Sequence, residues 1–195
     1  MNSTTPRLTE QVHLFLKSFL KKGDAVIDAT MGKGYDTRFL AECVGTKGRV
    51  IAVDIQQDAI EHTRERLEAV GFLDQIDQSI RLCHASHEQL DSLIPQGQVG
   101  QIHAIVYNLG YLPGTDKSIT TQAQSTLRSL QSAIKCLQRG GIISVLIYTG
   151  HNTGLDEYKA IVRWADSLGS EARAHWKSGF DEARRPPVWL LIEKI

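Results

Sequence analysis

Residues 26 to 54 carry a set of groups that can hold a nucleoside. Val26-Ile27-Asp28-Ala29-Thr30-Met31-Gly32-Lys33-Gly34-Tyr35-Asp36-Thr37 reads as an apolar strand, a glycine turn and a helix start. Arg49-Val50-Ile51-Ala52-Val53-Asp54 reads as a second strand that ends in a carboxylate. Gly32 and Gly34 let the backbone approach a ligand closely. The first amides of the helix that follows can hold a negative group. Asp54 stands where a carboxylate can accept hydrogen bonds from two ribose hydroxyls.

The kind of nucleoside follows from what surrounds the glycines. A dinucleotide fingerprint wants a third glycine, and Thr37 stands in its place. Asp36, at the helix start, would repel a pyrophosphate but suits a ligand that carries an ammonium group. Asp28, ending the first strand, is a second carboxylate at the same turn. S-adenosylmethionine has an ammonium, a carboxylate and a sulfonium and no phosphate, so this pair favours the methyl donor over NAD. The expected donor pocket is Asp28, Thr30, Met31, Gly32, Lys33, Gly34, Tyr35, Asp36 and Thr37, with Asp54, Ile55 and Gln56 after the second strand. Asp36 also suits a helix cap, Asp54 could be a solvent-facing strand end, and a nucleotide-binding or NAD-linked protein without methyl transfer is the alternative of another class.

Acceptor chemistry is offered further on. The apolar run Ile102-His103-Ala104-Ile105-Val106-Tyr107 enters Asn108-Leu109-Gly110-Tyr111-Leu112-Pro113-Gly114-Thr115-Asp116-Lys117-Ser118. Its Asn-x-x-Tyr piece is similar to the (Asp/Asn)-Pro-Pro-Tyr loop of methyltransferases that act on amino groups, with Leu109-Gly110 in place of the prolines. An amine must aim its lone pair at the methyl carbon. An asparagine carbonyl can accept the amine's hydrogens and set that direction, and an aromatic ring can stack on a planar base.

Asp28–Gly34, Asn108–Ser118 and Tyr148-Thr149-Gly150-His151 together resemble a family of small bacterial rRNA methylases, over about Leu8 to Lys194. The resemblance implies a Rossmann-like class I methyltransferase fold and S-adenosylmethionine as donor. It also implies an activity on tRNA: methylation of the 5-aminomethyl group of 5-aminomethyl-2-thiouridine at the wobble position. On this footing Asn108 orients the amine and Tyr111 walls or stacks on the uracil. Asp116, Tyr148 and His151 are candidates for proton handling or substrate contact. Lys117 is a candidate for an RNA phosphate. Asn108 and Leu109 also border the donor, and the loop after the third strand, with His84, Ser86 and His87, lies toward its adenine. Thr149 stands where relatives are expected to carry histidine, and Thr115 where glycine is frequent. Methylation of rRNA or of a small-molecule amine is the alternative within the same fold. The tRNA anticodon region is the expected partner.

These groups need a scaffold. Apolar periodicity and breakers predict helices over 8–20, 36–44, 58–70, 87–93, 120–137 and 154–168. They predict strands over 25–29, 49–54, 79–83, 102–107, 142–148, 172–177 and 188–192. Alternation of the two gives an α/β protein: a mostly parallel seven-stranded sheet with helices on both faces and an antiparallel C-terminal strand. Ligands in such sheets bind at the carboxyl ends of the strands, which selects the loops named above. One domain over 1–195 is expected, with residues 1–22 supplying a helix that packs on it.

Composition narrows the rest. The 22 Lys and Arg balance 22 Asp and Glu, which argues against sequence-blind binding of long nucleic acid but leaves room for local patches. Candidates are Arg7, Lys17, Lys21 and Lys22 at one end and Arg184-Arg185 at the other. A composite groove across a homodimer would be another route. Three cysteines without a CxxC pair, Cys43, Cys83 and Cys136, point to reduced thiols and to no zinc site. His84 and His87 lack a third ligand, so no metal is expected. Apolar runs are strand-sized, and the polar start lacks a signal-peptide core, so a cytoplasmic protein with no membrane partner is expected.

Overall fold

The computed structural model describes residues 6–112, 114, 119–150 and 152–195. Asp116, Lys117 and His151 lie outside the described residues. The elements are α1 (Leu8–Phe19), β1 (Ala25–Asp28), α2 (Tyr35–Val44), β2 (Arg49–Asp54), α3 (Gln57–Glu68), β3 (Ile80–His84), α4 (Leu90–Leu93), β4 (Ile102–Leu109), α5 (Ala123–Cys136), β5 (Leu137–Ile147), α6 (Asn152–Asp166), β6 (Ala172–Trp176) and β7 (Val188–Lys194). They build a seven-stranded sheet in the order β3-β2-β1-β4-β5-β7-β6. The first five of these neighbours pair in parallel, and β7 is antiparallel to both β5 and β6. The order reverses between β1 and β4, which opens the crevice where ligands bind in such sheets.

Strand alternation divides the core in two. Ile27, Ile51, Ile105, Tyr107 and Val145 point to one face, under Leu130 and Ala133 of α5 and Ile161 of α6. Val26, Val50, Ala104, Val106 and Leu146 point to the other, under Leu40 and Val44 of α2 and Leu67 of α3. Both faces of the central strands are therefore buried, as a parallel sheet requires. Helix α1 buries Val12 and Leu16, one turn apart, on the second face, followed by Leu20. It also sets Phe15 edge-on against Trp189 of β7, with ring centroids 5.8 Å apart.

Several boundaries differ from the sequence expectation. Asn108 lies inside β4, paired with Leu146, and not in a loop. Residues 87–93 form a short 3-10 turn followed by the four-residue α4. Helix α5 starts at Ala123, leaving Thr120, Thr121 and Gln122 outside it. Strand β5 leaves α5 directly at Leu137, and its pairing with β4 jumps from Ile102↔Leu137 to Ala104↔Ile142. Gly140, at φ 73°, accommodates that jump. Trp176 sits 37% exposed on edge strand β6. No helix among the described residues is long and apolar enough to cross a membrane.

Candidate active site

A cavity of about 1040 Å³ opens at the carboxyl ends of the central strands. Its floor is the glycine turn. Gly32 and Gly34 adopt φ of 52° and 74°, the left-handed region that side chains resist. A Cβ on Gly34 would stand 2.8 Å from the Thr63 Cα, so this glycine also lets α2 start against α3. The turn is held on two sides. Asp54 Oδ2 accepts the Gly32 amide at 2.9 Å, and its Oδ1 accepts the Gln56 amide at 3.0 Å. One carboxylate thus ties the β1 and β2 loops together, and each oxygen keeps a lone pair.

Asp28 lies beneath this floor. It is buried, and it accepts from the Thr37 hydroxyl at 2.6 Å and the Thr30 amide at 3.2 Å. Burial, then the Asp36 carboxylate, push its carboxyl up to about 7, with Asp54 adding to the rise; the bonds from Thr37 and Thr30 oppose them. Asp28, Gly34, Thr37 and Leu109 are not part of the cavity wall, whereas Thr30, Met31, Gly32, Lys33, Tyr35, Asp36, Asp54, Ile55, Gln56, Ser86, His87, Asn108, Tyr111 and Tyr148 are.

Both oxygens of Asp36 have partners from the protein. Oδ1 meets His13 Nε2 at 2.5 Å, and Oδ2 accepts from Asn108 Nδ2. The His13 ring lies flat on Phe39, with centroids 3.9 Å apart. Asp36, named above for the donor's ammonium, lines the cavity and also joins α1 to β4. The Asn108 backbone amide donates to Thr30 Oγ1 at 2.7 Å, which fixes the acceptor residue to the donor loop.

His87 closes the β3 side. Burial pushes its imidazole down to about 4, although the Glu88 carboxylate and the bond to the Ala29 backbone act in the other direction. It is therefore neutral at physiological pH. Its Nε2 is buried and has no hydrogen-bond partner. Ser86 accepts the Glu88 amide at 3.2 Å, and His84 Nε2 is bonded to the Ile55 carbonyl at 2.9 Å, outside the cavity wall. Among the described residues no group of three His, Cys, Asp or Glu converges.

On the acceptor side, Tyr111 and Tyr148 are 37% and 39% exposed and share the cavity mouth. Burial, and then the Asp36 charge, raise the Tyr148 phenol above its ordinary value, so it is a hydrogen-bond donor and not a base at neutral pH. Thr149 is buried and donates to the Pro186 carbonyl at 2.8 Å. Sequence reasoning missed His13, Thr120, Thr121, Gln122 and Ser125, and it named Arg7 and Arg185 only as surface patches; all line the cavity. His13 lies beside the apolar stripe of α1, and no local signal marks it, because its position comes from how that helix packs.

The "Putative rRNA methylase" family model matches residues 50–193, and a model of protein-L-isoaspartate(D-aspartate) O-methyltransferases matches residues 2–90. The chain is 36% identical over 168 residues to the chloroplastic tRNA (mnm5s2U34)-methyltransferase of Arabidopsis thaliana, covering 83% of this chain and 60% of that one. It thus spans under two thirds of that relative's length. A crystal structure of a "putative rRNA-methylase" from Clostridium thermocellum superposes with a TM-score of 0.88 at 35% identity, over 98% of this chain and all of the other. A "putative methyltransferase" from Streptococcus mutans, solved in complex with SAH, gives 0.82 at 29% identity over 98% of this chain and all of the other.

Proposed function

The chain belongs to the "Putative rRNA methylase" family, and from that premise we propose that it N-methylates an aminomethyl group on a tRNA uridine at the wobble position. The premise settles the coarser matters. The fold is the Rossmann-like class I methyltransferase fold, the protein is a methyltransferase, and its donor is S-adenosylmethionine. The NAD-linked alternative is thereby set aside.

The cavity's residues fit that donor. Asp54 can take ribose hydroxyls on its remaining lone pairs. The neutral His87 has an unpaired buried Nε2, an acceptor suited to the exocyclic amine of adenine. Gly32 lines the cavity without a side chain, where a Cβ would crowd Leu112 Cδ1 at 3.3 Å. When bound, S-adenosylmethionine supplies a methyl group activated by its sulfonium.

The observation that carries the reading is the bond from Asn108 to Asp36. A carboxylate only accepts, so the Asn108 NH2 faces Asp36 and its Oδ1 faces away from it. That oxygen can accept an N–H of an incoming amine and turn the nitrogen lone pair toward the donor. Tyr111 and Tyr148 at the mouth suit the faces of a planar base. The amine must be neutral to attack, and after transfer the product ammonium loses one proton to solvent. The name of the plant relative supports a tRNA uridine as the acceptor.

The test is direct. Purified protein and S-adenosylmethionine are incubated with tRNA carrying 5-aminomethyl-2-thiouridine, and nucleosides are measured by mass spectrometry. The expected result is one added methyl on that nucleoside. No methylated wobble uridine, together with a methylated rRNA fragment in a parallel reaction, would replace this acceptor with rRNA.

A further inference from the structure

The two ends of the chain bring a pair of arginines to the same cavity. Arg7 precedes α1, and Arg185 lies in the connection between β6 and β7, yet both line the cavity that Tyr111 and Tyr148 share. Packing explains the meeting. Phe15 of α1 stands against Trp189 of β7, so the helix lies beside the strand that the 185–187 segment enters. Thr149 at the end of β5 holds the Pro186 carbonyl at 2.8 Å, which ties that segment to the site.

Neither guanidinium is paired with a carboxylate among the described residues, whereas the adjacent Arg184 meets Asp181 at 3.8 Å and points to solvent. Arg185 is half-buried and has φ of 48°, one of two non-glycine residues with positive φ among those described. Side chains seldom adopt that conformation without a surrounding structure that imposes it. Here the Arg185 amide donates to the Asp181 carbonyl at 2.7 Å, and Pro186 follows. The backbone is thus bent so that one of two consecutive arginines lines the cavity and the other does not.

We propose that Arg7 and Arg185 grip backbone phosphates of the substrate RNA on either side of the nucleotide that enters the cavity. This rests on the reading of the substrate as RNA. Guanidinium groups match phosphate oxygens in a fork. Two cations at the mouth also reconcile a net charge of zero with an RNA substrate, because the positive charge is placed where the strand enters.

The test uses the full chain and a fluorescent anticodon stem-loop, with binding measured across a salt series. The variants are Arg7→Gln and Arg185→Asn, the latter because asparagine tolerates positive φ. Arg184→Gln is the control. Each of the first two is expected to weaken RNA binding several-fold and to lower the slope of log K against log salt by about 0.7 to 0.9, with S-adenosylmethionine affinity within twofold of the parent. Arg185→Lys is expected to keep the slope. Thermal denaturation confirms that each variant is folded. An unchanged slope in folded Arg7→Gln and Arg185→Asn, with salt-dependent binding by the parent, overturns this proposal alone. Loss of donor affinity instead overturns it in favour of the donor's carboxylate as the arginine ligand. No salt-dependent RNA binding by the parent overturns the RNA reading and this proposal with it.

Discussion

Asp36 accepts a hydrogen bond from the side-chain amide of Asn108, and the same carboxylate is held on its other oxygen by His13. Two elements far apart in sequence, α1 and β4, are joined through one residue at the start of α2. The geometry fixes an amide that could otherwise sit in either of two flips.

Breaking that constraint should affect turnover and leave donor binding largely intact. Asp36→Asn keeps the shape but offers both a donor and an acceptor to Asn108, so the amide loses its forced direction. We expect kcat to fall by about 10- to 100-fold, comparable to loss of a positioned hydrogen bond in other active sites. Donor dissociation constants should stay within about threefold. Asn108→Ala should lose more turnover, and His13→Ala less, because Asp36 keeps its bond to Asn108 when the imidazole is removed. Equal losses in turnover and donor affinity for Asp36→Asn would show that the residue serves the donor pocket instead. Single-turnover kinetics with titration of the donor separates the two.

Gly34→Ala should be among the most damaging single-atom changes. The residue sits at φ 74°, which costs an alanine about 1 kcal/mol. The new methyl would also stand 2.6 Å from Thr63 Oγ1 and 2.8 Å from its Cα. We expect a loss of about 2 to 4 kcal/mol in chemical denaturation. Thr63→Ala should rescue little of it, since the backbone contact remains. Full rescue would mean that the side chain alone sets the spacing of α2 and α3.

Asp28 and His87 set opposite slopes of stability against pH. Asp28 is raised to about 7 by burial first, so the folded state holds its proton above the ordinary value of 3.8. Stability from this group is highest at low pH and is lost as pH rises from about 4 through about 7. His87 is lowered to about 4 by burial, so the unfolded state binds the proton first. Its share is complete above about 6.5 and is lost as pH falls toward about 4. Between pH 4.5 and 6.5 the two slopes oppose. Asp28→Asn should therefore lose more stability on acidification across that window than the parent does. His87→Gln should lose more than the parent as pH rises. Denaturation midpoints from pH 4.5 to 7.5 measure both; parallel curves for parent and variants would refute the assignment.

Much of this site is legible in the amino-acid sequence. The glycine turn, Asp54 and Asn108 were all readable because they depend on local sequence: glycines for φ above zero, a carboxylate ending an apolar run, a polar residue closing another. The strands were legible for the same reason, and so was the antiparallel end of the sheet. What local pattern could not show was the third dimension of the wall. His13 reaches the cavity only because α1 lies across the second core. Asp28 looks like a pocket carboxylate from its position at the end of β1, yet it faces down under the turn, held by Thr37. Thr121 and Gln122 continued a helical pattern, but the chain there is instead tied to the β4 loop, with the Thr121 amide donating to the Gly110 carbonyl at 3.0 Å.

That tie leads to a buried charge. Glu157 of α6 is fully buried and accepts from Thr126 Oγ1 at 2.5 Å and Thr121 Oγ1 at 2.8 Å. Burial raises its carboxyl, and the two threonine hydroxyls pull it back. Through Thr121 and Gly110 this carboxylate supports the wall that carries Tyr111. Glu157→Ala should cost about 1 to 3 kcal/mol by leaving two hydroxyls unpaired in a void. It should also raise KM for the proposed RNA substrate several-fold, with donor affinity unchanged, because the loosened wall is on the acceptor side. Glu157→Gln keeps an acceptor for one threonine and removes the buried charge, so it should stay within about 1 kcal/mol of the parent near neutral pH. It should also lose the parent's gain in stability on acidification through the raised carboxyl. A KM for RNA that is unchanged in folded Glu157→Ala would show that Thr121 and Tyr111 keep their places without the carboxylate.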